Sequence, residues 1–223
     1  MELHKYLRSM IYPDFCPFCG GMIEPLEIIC PSCDDEVRRK HIPIKGGARG
    51  FRCVSSFVYD GKVRRMILRI KFFKRIQYIR QLADILISDI THTYGENAFD
   101  FITAVPMHPV DKYKRELNQS EVIAKVLSKV MDIPYHDTLV KIKRTKKQHT
   151  LTYAERKTNL IGAFKLIDKE LVRDKKILII DDIVTSGYTL GTCCKELCKG
   201  KPKMICCFTI ANAQRKYPAS TVI

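Results

Sequence analysis

The run Lys176-Ile177-Leu178-Ile179-Ile180-Asp181-Asp182-Ile183-Val184-Thr185-Ser186-Gly187-Tyr188-Thr189 constrains what this chain can fold into more than any other segment. Four consecutive aliphatics bounded by charge read as a strand buried on both faces, and helical patterning resumes near Tyr188. The order is therefore strand, acidic pair, loop, helix. A loop that opens a helix presents free backbone N–H groups and the positive end of the helix dipole. Thr185, Ser186 and Thr189 add hydroxyls, and Gly187 lets the backbone approach an anion, so the segment reads as a phosphate cup. Asp181 and Asp182 at the strand's carboxyl end can accept hydrogen bonds from two vicinal hydroxyls. A ribose 5-phosphate satisfies both halves. Two other readings exist, a buried strand with a solvated acidic end and the acidic strand of an ATPase. The second lacks its phosphate loop, because none of the 11 glycines begins a G-x-x-x-x-G-K-[ST] pattern.

Upstream, apolar periodicity alternates between helix and strand. Val63, Met66, Ile67 and Ile70 mark one helix, Ile79, Leu82, Ala83 and Leu86 a second, and Val122, Ile123, Val126, Leu127 and Val130 a third. Phe101 to Val105 reads as a short strand stopped by Pro106, Leu139 to Ile142 as another, and Met204 to Ile210 as the last. Such alternation predicts an α/β fold with a mostly parallel sheet flanked by helices and ligands bound at the carboxyl ends of the strands. With 223 residues there is room for one such domain, residues 50–223, and a small appendage, residues 1–45, joined through Gly46-Gly47 and Gly50.

The appendage carries its own chemistry. Cys16-Pro17-Phe18-Cys19 and Cys30-Pro31-Ser32-Cys33 form two C-x2-C knuckles, each offering two thiolates to a tetrahedral ion. The pattern predicts a compact four-cysteine zinc ribbon with a closed, structural site. A redox C-x-x-C would stand before a helix in a βαβ context, and neither pair has that setting. No apolar stretch approaches the roughly 18 residues that cross a bilayer, and no export signal opens the chain, so a cytoplasmic, reducing location is expected. The other six cysteines then read as small hydrophobes, although Cys194 and Cys198 share a helix face and leave a second metal site conceivable.

Net charge is +15, which calls for an anionic partner. Residues 38–80 hold fourteen Lys or Arg and one acid, Asp60. Arg64, Arg65, Arg69, Lys71 and Lys74 are the candidates for tracking a nucleic-acid backbone, and Phe51, Phe57, Tyr59, Phe72, Phe73 and Tyr78 could stack the bases of single-stranded DNA. The competing reading is a basic helix surface over a core that owns those aromatics. Residues 141–157 carry Lys141, Lys143, Arg144, Lys146 and Lys147 against the single acid Glu155, which fits a lid that closes on a polyanion, or a solvated basic loop.

The acidic strand with its Thr-Ser-Gly-Tyr-Thr turn resembles the phosphoribosyl pyrophosphate (PRPP) motif of type I phosphoribosyltransferases, and further matches narrow the resemblance to the ComF family of competence proteins. Val105-Pro106-Met107-His108 resembles the loop that binds pyrophosphate. Arg115 with Asn118-Gln119 resembles the family's R-G-F-N-Q signature, with Glu116-Leu117 in place of Gly-Phe. Lys143-Arg144-Thr145 through Lys147, Gln148 and Leu151, then Arg156, Asn159 and Gly162-Ala163-Phe164, resembles its K-x-T-x-x-Q-x-x-L…R-x-x-N-x-x-G-A-F segment. The resemblance implies PRPP bound with Mg²⁺. Asp181 and Asp182 would hold the sugar, and Arg115, Lys143, Arg144, Lys147 and Gln148 would contact phosphates. It also implies cytoplasmic handling of single-stranded DNA in natural transformation, with a competence helicase and a recombination mediator, at the inner membrane face through partners. Whether catalysis is used stays open at this point, as do a nucleobase-salvage phosphoribosyltransferase and a PRPP-sensing nucleic-acid-binding regulator. Salvage enzymes do not need a ribbon or a basic belt, and a regulator would show a helix-turn-helix, which is missing from the pattern.

Overall fold

The computed structural model describes residues 14–24, 27–41, 43–145 and 160–214. Five strands form the main sheet: β1 (Ile44–Ala48), β2 (Phe51–Val58), β3 (Phe101–Ala104), β6 (Lys176–Val184) and β7 (Met204–Asn212), in spatial order β1-β2-β7-β6-β3. Only β1 runs antiparallel; β2, β7, β6 and β3 are parallel. Two short strands, β4 (Leu139–Lys141) and β5 (Phe164–Leu166), pair antiparallel apart from it. The helices are α1 (Pro31–Lys40), α2 (Gly61–Phe73), α3 (Gln77–Tyr94), α4 (Pro109–Arg115), α5 (Gln119–Met131), α6 (Lys169–Val172) and α7 (Tyr188–Cys198).

Alternation along the strands divides the core into two layers. Leu178, Ile180, Cys206 and Phe208 pack with α2, α3 and α5, while Ile177, Ile179 and Cys207 pack with α7 and the β4–β5 pair. Side chains of successive strand residues leave opposite faces, so a run that is apolar throughout has to be covered on both. The helical stripes fall as their periodicity requires: Val63, Met66, Ile67 and Ile70 are buried on α2, and Ile79, Leu82, Ala83 and Leu86 on α3. The apolar stripe of α5 ends earlier, for Ile123 and Leu127 are buried but Val130 is exposed.

Three readings from the sequence change. Gly46 is not in a linker. It sits within β1, and the chain reverses at Arg49-Gly50, whose φ values of +57° and +100° make the two-residue turn between Ala48 and Phe51. Positive φ at both central residues matches the twist of a hairpin, so the turn falls on the glycine that follows Arg49 rather than on the Gly-Gly pair. The acidic pair is not beyond the strand either. β6 runs on to Val184 because β7 stays beside it, Asp181 opposite Thr209 and Val184 opposite Asn212. Finally, Phe57 and Tyr78 are buried in the core and cannot stack bases, whereas Phe72 and Phe73 at the end of α2 are 67% and 72% exposed.

The ribbon segment packs into the same apolar layer as α2. Cys16, Phe18, Ile23, Ile29, Cys33 and Val37 belong to the cluster that holds Phe57, Met66 and Ile70, with Phe18 edge-on to Phe57 at 5.8 Å between ring centres.

Candidate functional site

On the other side of β6 the pairing stops early. β3 stays in register only to Ala104 opposite Ile180, and Val105 N–H donates to Ile180 O at 2.9 Å. Pro106 has no N–H to donate, so β3 ends there and the chain peels away toward α4. From β3 the path goes to α5 on one face of the sheet; from β6 it goes to α7 on the other. The crevice opened between diverging connections at the carboxyl ends of parallel strands is where an open α/β sheet binds its ligand.

A cavity of about 210 Å³ occupies that crevice, with Asp181, Asp182 and Thr189 on one side and Val105, Pro106 and Met107 on the other. Arg115, Asn118 and Gln119 also line it, so the acidic pair, the candidate pyrophosphate loop and the Arg-Asn-Gln trio meet in one place. The trio has a visible structural task. Asn118 Nδ2 donates to Val105 O at 3.0 Å from the start of α5, which fixes the loop to the helix. His108 caps α4, its Nδ1 accepting from Val110 N–H at 3.3 Å. Glu116, in the position of the signature's Gly, has φ +58° and ψ −5°, a left-handed conformation for which glycine is the usual residue. Its carboxylate pairs with Lys74.

Asp181 is the most perturbed acid in the crevice. Burial, then the charge of Asp182, pushes its carboxyl up to about 7, while Ser120, the Asp182 amide and Lys71 pull in the opposite direction. Ser120 Oγ donates to Asp181 Oδ1 at 2.7 Å, and Asp182 N–H donates to the same oxygen at 3.0 Å. Asp182 Oδ1 accepts from Ile183 N–H at 2.8 Å. A carboxyl held this high binds best to something that brings positive charge or hydrogen-bond donors with it. Lys141 at the end of β4 also lines the cavity, and burial lowers its pKa.

The cup follows. Gly187 precedes α7 with φ +71°, and the first intrahelical bond runs from Gly191 N–H to Gly187 O at 2.8 Å. Ser186 Oγ is buried with no hydrogen-bond partner among the described residues. An orphaned hydroxyl at the opening of an eleven-residue helix fits a phosphate oxygen, since buried polar atoms otherwise find partners. Thr189 faces the cleft, Thr185 is exposed, and Tyr188 turns away, its ring beneath the Arg49 guanidinium at 3.5 Å.

The basic belt separates into three parts. Arg64 and Arg65 are exposed as expected. Arg69 is not on that free face: Nη1 donates to Pro17 O and Phe18 O at 3.3 and 2.9 Å and Nη2 to Cys19 O at 2.6 Å, so it clamps the first knuckle. Lys71 lines the cleft and lies close enough to Asp181 to stabilise its charge, while Lys74 is paired with Glu116. The belt is therefore not remote from the cup; the last turn of α2 reaches it. Beyond β4, Lys143 and Arg144 are exposed, with Arg144 Nε 3.4 Å from Asp111 Oδ1. Lys147, Gln148 and the Thr152–Glu155 capping pattern lie outside the described residues. Ser120 and Asp111 went unread in the sequence: Ser120 looks there like the first turn of a helix, and its tie to Asp181 spans 61 positions.

The four cysteines converge as their spacing predicts, all four Sγ atoms lying within 4.8 Å of one another and Cys19 Sγ 3.7 Å from Cys30 Sγ. Thiolates about 2.3 Å from a tetrahedral ion stand about 3.8 Å apart, so the donor set fits one metal. Gly21 N–H donates to Cys19 Sγ at 3.3 Å, and Ser32 Oγ lies 3.5 Å from Cys30 Sγ; the Ser32 contact is the main reason the Cys30 thiol titrates below its usual range. Among the described residues no other group of three or more ligands gathers this way. Cys194 Sγ meets Cys207 Sγ at 3.5 Å inside the core, and Cys198 is exposed rather than facing it. Burial and neighbouring thiols keep Cys53, Cys193 and Cys207 protonated.

Comparison with known proteins gives the same assignment. The phosphoribosyl transferase domain family matches residues 117–222. Competence protein F of Haemophilus influenzae is 31% identical over 200 residues, covering 87% of this chain and 82% of the relative. The chain belongs to the competence protein F family. The DNA utilization protein YhgH of Escherichia coli is 27% identical over 185 residues, 79% of this chain and 80% of the relative. A hypoxanthine phosphoribosyltransferase from Staphylococcus aureus superposes with a TM-score of 0.40 at 17% identity, over 65% of this chain and 71% of that one. The type I phosphoribosyltransferase fold with a four-cysteine ribbon rests on the family and the sheet topology, and the salvage and regulator readings are not favoured. Among the described residues no helix is long and apolar enough to cross a membrane.

Proposed function

We propose that this ComF-family chain binds PRPP with Mg²⁺ in the cleft at Asp181 and serves the handling of single-stranded DNA in natural transformation. One observation carries the reading: the acidic pair, the 105–107 loop, Arg115 and Thr189, from four separate segments, converge on one cavity of about 210 Å³. Asp181 and Asp182 hold the ribose hydroxyls and oppose positive charge on the sugar. The amides opening α7, with Ser186 and Thr189, take the 5-phosphate, while Arg115, Lys71 and Lys141 face the pyrophosphate. Mg²⁺, bound with the substrate, neutralises part of the pyrophosphate charge. The ribbon carries Zn²⁺, the ion that suits four thiolates in a closed tetrahedral site. The names of the relatives, competence protein F and DNA utilization protein, support the DNA role.

Calorimetry with PRPP and Mg²⁺ tests the cleft. Binding by the native chain that Asp181→Asn abolishes is expected; equal affinity in the two proteins rules the cleft out. Pyrophosphate release on adding nucleobases or single-stranded oligonucleotides then decides whether the bound sugar is transferred and to what. The DNA surface is narrower than the sequence suggests: Arg64 and Arg65, with Phe72 and Phe73 exposed at the end of the same helix. Single-stranded DNA should bind with a log–log salt slope of roughly −0.7 per neutralised phosphate, and an Arg64→Glu/Arg65→Glu double variant should flatten it. An unchanged slope moves the DNA role to a protein partner, such as the competence helicase or recombination mediator.

A further inference from the structure

A second cavity, of about 350 Å³, lies beside the cleft between the turn of the β1–β2 hairpin, the outer side of α7 and the turn at Leu160-Ile161. Leu160 lines both cavities and forms part of the wall between them. Their charges differ. The cleft sets Lys71, Arg115 and Lys141 against Asp111, Asp181 and Asp182, a balance that suits a polyphosphate arriving with its own metal ion. Among the described residues, the second cavity is lined by Arg49 and Lys195 and by no carboxylate. It suits an anion without a metal.

Its walls select more than charge. The Arg49 guanidinium lies over the Tyr188 ring, its central carbon 3.5 Å from the ring centre, and both side chains line the cavity. Ile161, 66% exposed, supplies apolar surface, with the buried Leu160 behind it. Gly191 lets the hairpin turn close on α7, since a Cβ there would stand 2.6 Å from Arg49 Cβ and 3.1 Å from Ala48 O. Thr192 donates to Tyr188 O at 2.7 Å, which leaves its hydroxyl oxygen to accept. Guanidinium and tyrosine planes are the surfaces on which bases stack, and the volume falls within the ordinary range for small-ligand pockets.

We propose that this cavity binds one nucleotide, its base against the Arg49–Tyr188 wall and Leu160-Ile161, and its phosphate at Lys195. The nucleotide can arrive free or as one residue of a single strand; the chemistry recognised is the same. The site is separate from the PRPP cleft and stands or falls without it.

Binding of radiolabelled dAMP, measured by equilibrium dialysis in EDTA, tests the inference on the full chain. Saturable binding at one site per chain is expected, and it should persist in Asp181→Asn. Lys195→Glu should weaken it by about tenfold or more, the loss of one charge-assisted phosphate contact. Ile161→Trp, which fills the cavity from its exposed rim, should do the same. Both variants should bind PRPP with Mg²⁺ as the native chain does, which verifies folding. A 5′-phosphorylated (dA)6 that competes more tightly than dAMP identifies the strand as the source; equal competition identifies the free nucleotide. Inorganic phosphate competing as well as dAMP, equal dAMP affinity in native, Lys195→Glu and Ile161→Trp proteins, or loss of dAMP binding in Asp181→Asn overturns the proposal.

Discussion

The four-cysteine ribbon and the acid cleft are built in opposite ways, although one helix serves both. The ribbon draws its ligands from two knuckles close in sequence, and backbone bonds such as Gly20 N–H to Cys16 O and Asp34 N–H to Cys30 O, both near 2.9 Å, shape each knuckle locally. The cleft draws on residues from Lys71 to Thr189 that only the tertiary fold brings together. α2 touches both, Arg69 reaching the ribbon carbonyls and Lys71, two positions on, reaching the cleft. A locally encoded site can be deleted by one residue with its fold; an assembled site can lose function while its scaffold stays intact.

Removing a ribbon ligand should have the largest effect. Cys16→Ser should abolish metal retention, because metal binding at such sites is worth on the order of 10 kcal/mol and doubles as folding energy. Elemental analysis should find one Zn²⁺ per native chain and none in the variant, while Cys53→Ser, buried in the sheet, keeps its metal. Full zinc in Cys16→Ser removes the ribbon from the account.

Arg69 tests whether ribbon and main domain are one cooperative unit. Its guanidinium satisfies three carbonyls, so Arg69→Ala should cost about 3 kcal/mol, and Arg69→Lys should not recover it because an ammonium cannot fork across them. Scanning calorimetry should show one transition at lower temperature. A separate early transition with the main one unmoved would mean that the ribbon hangs free of the core.

At the cleft the expected signs split. The folded state holds Asp181 at about 7, well above its ordinary value of 3.8. Between those values the folded chain binds a proton that the unfolded chain has released, so stability falls as pH rises from about 4 to about 7, and the cost is complete above that. Asp181→Asn removes it. With allowance for partial exposure, the variant should be about 2 kcal/mol more stable at pH 8 and unchanged near pH 4, while PRPP binding is lost. In the native protein, PRPP affinity should rise with pH up to about 7, since the ligand takes the ionised carboxylate. Thermal melts at the two pH values check the first statement and calorimetry the second; equal stability of variant and native at pH 8 contradicts the burial argument.

The same contrast explains which features the amino-acid sequence carries openly. Spacing alone yields the ribbon because its geometry is local. The strand Ile177 to Ile180 and the helix at Tyr188 are legible because burial on both faces and helical period leave marks in composition. Arg69 and Lys71 are misplaced because a helical wheel puts them off the apolar stripe of α2 without saying what else packs there. One meets a knuckle and the other a carboxylate, and neither partner is within thirty positions on the chain. Ser120 is hidden for the same reason. The Gly46-Gly47 pair misleads because glycine signals a turn only where the backbone needs positive φ, and that need falls at Arg49-Gly50.

The smallest effect belongs to Glu116, where a family pattern and a backbone angle coincide. The signature carries Gly at this position, and the structure shows why: α4 ends in a left-handed residue immediately before the turn that sets Asn118 against Val105 O. Glu116 adopts φ +58° against its steric preference. Its pairing with Lys74 holds its carboxyl below the usual range, but both side chains are exposed, so water and salt screen the attraction. Glu116→Gly should therefore raise Tm by about 2–4 °C, and Glu116→Ala, which keeps the strain and loses the pair, should leave it level or slightly lower. If Ala stabilises as much as Gly, backbone strain is not what the position contributes. Equal PRPP affinity in all three proteins would then show that the cleft takes its shape from Asn118 and not from the turn before it.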